Sequence, residues 1–322
     1  MWHLVGDIGG TNMRLAALDP EGAVLAQSKT PTTTTEAFHA ALRALAEGQD
    51  GPPAKAAVAG AGIVDRGAIV LTNSGVGARL AEADMDRVLG MSGARVINDF
   101  EAAAWSLATI SADEATPLQG STDFSPAPRM IIGPGTGLGV GALVWARDTP
   151  CIVSGEGGHV RLAPADAQEV EVFRALIADW PEIQMGEGLF VEAEGMLSGM
   201  ALPRFYRAVA RVLGVAATLD TAAAIFAAAR DASDPAAVTT IGMFSRHLGA
   251  LAGDLGMTFG ATGGVFVAGG VAASNPWIFD EAFIEAFNAG GRHRPWREAM
   301  PLYLCTSGDF GLRGARNALI WS

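Results

Sequence analysis

The stretch that decides the fold is GDIGGTNMRLAALD, residues 6–19. A short apolar run, WHLV, leads into three glycines and a threonine, and a strand-like segment, MRLAALD (13–19), follows. A turn of this kind offers backbone N–H groups and a threonine hydroxyl to an anion. A counterpart lies 125 residues further on: GTNMRLAAL (10–18) and GTGLGVGAL (135–143) agree at four of nine positions, and the second also follows an apolar run, RMII. The repetition reads as a duplicated domain with one glycine–threonine turn in each half. Chance likeness between glycine-rich turns is the competing reading. A third glycine turn follows a strand in GGVFVAGGVA (263–272).

Outward from the first turn, strands and helices form an α/β layer. AVLAQSKT (23–30) is a further strand, joined through PEG. A helix is predicted over 35–47, with Thr35 as N-cap, Phe38, Leu42 and Leu45 on one face and Gly48 as its stop. KAAVAG and GAIVL read as strands, EADMDRVLG as a short helix ended by Gly90, ARVIND (94–99) as a buried strand and FEAAAWSLATI as a helix behind it. Residues 111–128, rich in Pro, Ser, Thr and Asp, read as a loop or domain junction, and 164–260 is mostly helical by pattern.

The 322 residues suffice for two domains, and a 50% hydrophobic, 17% charged composition is that of a globular chain with a substantial core. The net charge is −12, and Lys29 and Lys55 are the only lysines. With no basic run, nucleic acid and anionic membranes are poor partners. A phosphate ligand would have to be held by backbone amides, hydroxyls and a metal. Cys151 and Cys305 fit neither a disulfide framework nor a zinc motif, and no secretory leader is read in MWHLVGDIGG. A reducing, cytoplasmic setting is expected.

Neither glycine loop is a Walker A sequence, which needs Gly-Lys-Ser/Thr, nor a dinucleotide fingerprint. Two glycine–threonine loops at equivalent places instead imply a nucleoside triphosphate gripped from both sides. Asp7 then has a use. Mg²⁺ takes one or two carboxylates plus phosphate oxygens, so an acid beside a phosphate loop is an asset once the metal stands between them. The bland alternative is an Asx-type turn cap. In VINDF, Asp99 ends a buried strand beside Asn98. One of the pair can accept the proton of an attacking hydroxyl while the other caps the following helix. In SGEGGHV (154–160), Glu156 and His159 lie on a glycine-rich loop and suit the hydroxyls of a polyol; an ordinary polar turn is the rival reading.

GDIGGTNMR, VINDF, GPGTGLGV, GEGGHV, EGMLSG and GGVFVAGGVA occur here in the order found in bacterial ATP-dependent glucokinases, which this chain resembles from residue 2 to 322. The resemblance implies a two-domain, ribonuclease H-like α/β fold of the actin/hexokinase superfamily with an interdomain cleft. It implies a small domain over 1–110, with about 304–322 packing back on it, and a large domain with a helical insertion over 111–303. By the same resemblance Gly6, Asp7, Ile8, Gly9, Gly10 and Thr11 form the first phosphate loop, and Asp7 faces Mg²⁺, directly or through water. Gly135, Thr136 and Gly137 form the second loop, and Gly269 and Gly270 lie in the adenosine motif. Asn98, Asp99, Glu156, His159 and Glu194 are the implied sugar ligands, with Asp99 as general base; Glu192, two residues before Glu194, is the competing assignment there. The implied reaction is ATP-dependent phosphorylation of D-glucose at O6 by a cytoplasmic homodimer. Rival readings are a kinase for another hexose or amino sugar, a non-catalytic sugar sensor and an actin-like assembly protein. Two departures bear on the wall of the sugar pocket. Gly62 stands where many relatives have proline, and no tryptophan follows Asn73 in the region of Val76.

Overall fold

The computed structural model describes residues 1–71, 77–120, 124–306 and 309–321. The Asn73–Val76 departure lies outside them. In chain order the first stretch holds β1 (His3–Ile8), β2 (Asn12–Leu18), β3 (Val24–Pro31), α1 (Thr35–Glu47), β4 (Lys55–Gly60), β5 (Val64–Asp65), β6 (Ala68–Val70), β7 (Arg79–Ala81), α2 (Glu82–Leu89), β8 (Arg95–Asn98) and α3 (Asp99–Ser106). Then come β9 (Thr116–Gln119), β10 (Arg129–Pro134), β11 (Leu138–Ala146), β12 (Thr149–Val153), β13 (Arg161–Leu162), α4 (Ala167–Asp179) and β14 (Val191–Glu192). The last stretch holds α5 (Leu202–Leu213), α6 (Ala222–Arg230), α7 (Pro235–Phe259), β15 (Val265–Val267), α8 (Gly270–Ser274), α9 (Glu281–Asn288), α10 (Arg294–Ala299), β16 (Leu302–Leu304) and α11 (Phe310–Trp321).

Two compact units emerge: Met1–Ile110 with Gly141–Ser154 and Gly308–Ser322, and Ser111–Val140 with Gly155–Ser307. The first is built on a five-stranded sheet in the order β3-β2-β1-β4-β8, and the second sheet runs β12-β11-β10-β15-β16-β9. Apart from the added β9, the two orders correspond strand for strand. β1–β4 and β4–β8 are parallel, as are their counterparts β10–β15 and β15–β16, while β2–β3 and β11–β12 are antiparallel. The likeness between residues 10–18 and 135–143 is therefore a duplicated fold, with β2 answering to β11.

Alternation along the strands of the first sheet explains why it is covered on both faces. Leu4, Leu15, Ala17 and Val58 pack on one side with Phe38, Leu42 and Leu45 of α1 and Met85 of α2. Val5, Ala16, Leu18 and Ala57 pack on the other with Ala315 and Leu319 of α11. The last helix is tied down further: Asn317 Nδ2 donates to the Trp105 carbonyl (2.9 Å) and Lys55 Nζ to the Leu319 carbonyl (2.6 Å). The second unit has its own core, in which Phe173, Leu176, Phe205, Tyr206, Phe244 and Phe283 are fully buried.

Several local expectations change. The N-cap of α1 is Thr34, whose hydroxyl accepts from Ala37 N; Thr35 instead accepts from Arg79 N at 2.8 Å. The 111–128 loop contains β9, which pairs antiparallel with β16. Pro117 disguised it, since proline within a strand is tolerated at a sheet edge, where β9 lies. The helix after VIND stops at Ser106 and continues as a 3₁₀ turn, Leu107–Thr109. The first glycine loop is also shorter than residues 6–11. Gly6, Asp7 and Ile8 belong to β1, and a Cβ on Gly6 would lie 2.8 Å from Leu15 Cδ2 and 3.0 Å from Val58 Cγ2, so this glycine serves packing.

Candidate active site

In the first unit the turn proper is Gly9–Gly10–Thr11, closed by Gly9 N donating to the Asn12 carbonyl (3.0 Å). The residue just after β3 braces it: Thr32 N donates to the Thr11 carbonyl (2.9 Å) and Thr32 Oγ1 to the Gly9 carbonyl (2.7 Å). Asp7 lies two residues before the turn, and the antiparallel register sets it directly opposite Arg14. Arg14 Nη2 donates to Asp7 Oδ2, and Arg14 Nη1 donates to Asp309 Oδ1 at 2.8 Å. Partial burial works against the guanidinium charge, but the two carboxylates outweigh it and raise the Arg14 pKa. Gly311, in the first turn of α11, leaves room for the Asp7 carboxylate; a Cβ there would collide with it. The acid beside the loop is thus partnered by the chain itself, on one oxygen. Ile8, 1% exposed, can offer a ligand only its backbone.

The Asn98–Asp99 pair divides its labour at the start of α3. Asn98 is the cap: its Oδ1 accepts from Phe100 N (2.7 Å) and Glu101 N (3.2 Å), and its Nδ2 donates to the Gly62 carbonyl (2.9 Å). Asp99 Oδ1 accepts from Phe100 N at 3.0 Å. Gly62 has φ +150°, a conformation closed to proline. Glu101, in the same turn of α3, is largely buried, and desolvation pushes its carboxyl up.

In the second unit the loop Gly135–Gly137 is held from two sides. Gly199 N donates to the Gly135 carbonyl (2.8 Å) and Met200 N to the Thr136 carbonyl (3.2 Å). Glu194 Oε2 accepts from Leu138 N at 2.7 Å, and a Cβ on Gly137 would strike that carboxylate. Gly269, at φ +93°, turns the chain from β15 into α8, and a Cβ there would come 2.8 Å from the Pro134 carbonyl oxygen. The expected second phosphate loop, the adenosine-motif glycines and EGMLSG are therefore one packed assembly.

Next to it stands His159, in a 3₁₀ turn, Gly157–His159. The chain from β14 runs alongside: Ala193 N donates to the Val160 carbonyl and Glu194 N to the Gly158 carbonyl, each at 2.9 Å. β14 ends at Glu192 and the chain turns there, with Gly195 N donating to the Glu192 carbonyl (3.0 Å), so that the charges of both Glu192 and Glu194 act on the imidazole. Glu192 pairs with His159 Nδ1, and Glu156 Oε2 lies 3.8 Å from His159 Nε2. Partial burial works to lower the His159 pKa, but the Glu192 hydrogen bond and the charges of Glu194, Glu192 and Glu156 prevail and raise it.

Each unit thus gathers its own share of the expected residues: Asp7, the 9–11 turn, Asn98 and Asp99 in the first; Gly135–Gly137, Glu156, His159, Glu194, Gly269 and Gly270 in the second. Arg14 and Asp309 escaped the sequence reading, and Glu192 entered it only as the competitor of Glu194. Arg14 was findable, because a hairpin turning at Gly9–Thr11 sets residues 7 and 14 across from one another. Asp309 carried no such signal. Among the described residues no group of three or more His, Cys, Asp or Glu side chains forms a metal cage, and no helix is long and apolar enough to cross a membrane.

The same architecture occurs in a crystal structure of a glucokinase from an Antarctic psychrotroph, at TM-score 0.83 and 27% identity, covering 100% of this chain and 99% of that one. A glucokinase from Balamuthia mandrillaris, solved in complex with glucose, shares the fold at TM-score 0.80 and 24% identity, over 98% of this chain and 92% of that one. Fold and site define a hexose kinase of the actin-like α/β class. The model of the family described as Glucokinase matches residues 4–320. A glucokinase from Rhizobium etli is 36% identical over 308 residues, 94% of this chain and 87% of the relative. The chain belongs to the glucokinase family.

Proposed function

We propose that this chain transfers the γ-phosphoryl group of ATP to the 6-hydroxyl of D-glucose. The observation that carries the reading is in the second unit. A cluster of hydrogen-bonding groups suited to a polyol (Glu156, His159 and Glu194) is tied through the Glu194–Leu138 hydrogen bond to the loop that would grip a phosphate. Asp99 takes the proton of O6 as the O6–phosphorus bond forms and the bond to the β-phosphate bridging oxygen breaks, releasing ADP. Asn98, beside it, supplies the side-chain cap of α3. Loop amides and the hydroxyls of Thr11 and Thr136 would stabilise charge on the moving group.

The donor set suits Mg²⁺ rather than a metal that needs a protein cage. Such an ion asks for one or two carboxylates plus phosphate oxygens, and Asp7 keeps Oδ1 beyond the Oδ2 that Arg14 occupies. When bound, the ion would neutralise phosphate charge. A homodimer and a cytoplasmic setting belong to the same proposal; sedimentation equilibrium tests the first.

An assay of hexose phosphate formation, with ADP release followed in the ATP arm, decides the reading. Glucose, mannose, fructose and N-acetylglucosamine are offered with ATP, ADP or polyphosphate as donor. Highest kcat/KM with glucose and ATP is expected. Asp99→Ala should lower kcat about 100- to 10,000-fold, with a smaller change in glucose binding. Wild-type kcat in that variant would remove Asp99 from its role, and absence of sugar-dependent ADP release from the wild type would remove the function.

A further inference from the structure

Glu192 belongs to none of the motifs that mark the family, yet its carboxylate hydrogen-bonds His159 in the second unit's polar cluster. It reaches His159 because β14 pairs with β13 in a register that sets Glu192 opposite Arg161, two residues past the histidine. Glu194, two residues on, is committed to Leu138 N. The imidazole therefore has one nitrogen held by Glu192 and the other turned toward Glu156. The 3.8 Å between Nε2 and Glu156 Oε2 is too long for a direct hydrogen bond. Two groups that share one hydroxyl, each about 2.8 Å from its oxygen, stand about 4.6 Å apart at the tetrahedral angle, so the pair need open by less than about 1 Å to take one between them.

We propose that Glu192 is a positioning residue for the sugar. It holds His159 through Nδ1 so that Nε2–H and the Glu156 carboxylate form a donor–acceptor pair for a single sugar hydroxyl. The inference rests on the hexose kinase reading above. A hydroxyl between them accepts from Nε2–H and donates to Glu156, so both of its hydrogen-bonding directions are used. That arrangement needs a proton on both ring nitrogens. Glu156 on the same turn, Glu192 on β14 and Glu194 just after it are the charged groups found to face the ring among the described residues, and all three favour the imidazolium. Without the carboxylate at 192, the neutral ring that keeps Nδ1–H offers Nε2 as an acceptor. Nε2 and Glu156 then compete for one proton.

The test uses the whole chain and two variants. Glu192→Gln keeps size and an acceptor but not the charge; Glu192→Leu removes both. Glucose binding is measured by calorimetry at pH 6 and pH 8 with no nucleotide, and the His159 titration is followed by NMR. The Gln variant should bind glucose about tenfold more weakly than wild type at pH 8 and recover most of that loss at pH 6. Its His159 midpoint should fall, and kcat at saturating glucose should stay within about twofold of wild type. The Leu variant should be weak at both pH values. Wild-type binding by the Gln variant at pH 8, or an unmoved His159 midpoint, overturns the proposal. The midpoint is read without substrate, so it tests the pairing even if the wild type phosphorylates no hexose; that latter outcome overturns the enzymatic reading instead.

Discussion

Replacing Glu169 by glutamine should cost this protein a large part of its stability at neutral pH. Glu169 lies in the first turn of α4 and is 0% exposed. Its carboxylate accepts from Ala165 N (2.7 Å), His247 Nε2 (2.9 Å) and Arg246 Nη2 (3.2 Å), joining α4 to α7. Burial alone would push the carboxyl up; the His247 hydrogen bond, the Ala165 N–H and the neighbouring positive groups reverse that and hold it at about 2, against an ordinary 4.5. One pH unit of proton affinity is about 1.4 kcal/mol, so this carboxylate contributes about 3 kcal/mol by linkage. Because the folded value is the lower one, that contribution is complete above about pH 4.5 and is lost as pH falls toward 2. Breaking a buried charged network by removing one partner costs about 3–5 kcal/mol, the same order by an independent route. The assay is urea unfolding of wild type and Glu169→Gln, followed at pH 7 and pH 3. The variant should be destabilised by about 3 kcal/mol at pH 7 and by clearly less at pH 3. A loss below about 1 kcal/mol at pH 7, or one that does not shrink with acid, refutes the reasoning.

Two further outcomes follow from the first unit. Gly311→Ala would ordinarily stabilise a helix by up to about 1 kcal/mol. Here the new methyl meets the Asp7 carboxylate and should dislodge the Arg14 pair. No gain in melting temperature and a kcat/KM for ATP at least about tenfold lower are expected, and a more stable variant with unchanged kinetics would contradict this. Asn98→Ala should cost about 1–2 kcal/mol in urea unfolding through the lost helix cap. Asn98→Asp should retain the cap but set a carboxylate oxygen against the Gly62 carbonyl, so it too should lose stability in urea unfolding.

The architecture was legible because its signals are local and repeated. A β-hairpin needs only its turn residues and alternating apolar positions, so β1–β2 and its echo could be read directly, as could the buried face of α1. Proline in β9 hid a strand whose existence depends on β16, far away in sequence. The site was legible where one residue type has one clear use. It blurred where two acidic or amide side chains adjoin, since local chemistry cannot decide which of Asn98 and Asp99 caps a helix. At 192 and 194 the alternatives proved to be two separate jobs: one carboxylate holds an imidazole and the other a backbone N–H. Asp309 was invisible because its partner stands 295 residues away.

The first unit is assembled from both ends of the chain, and this bears on its synthesis. A ribosome that has made residues 1–110 has produced every strand of the first sheet, but one face of it (Val5, Ala16, Leu18 and Ala57) waits for Ala315 and Leu319. The nascent protein must therefore carry an uncovered apolar sheet face through the translation of some two hundred further residues. A chain that stopped at about residue 310 would leave that face permanently open. A nonsense codon there should thus be as damaging as one near residue 160, and the newborn chain is a natural client for a chaperone that shields exposed sheets.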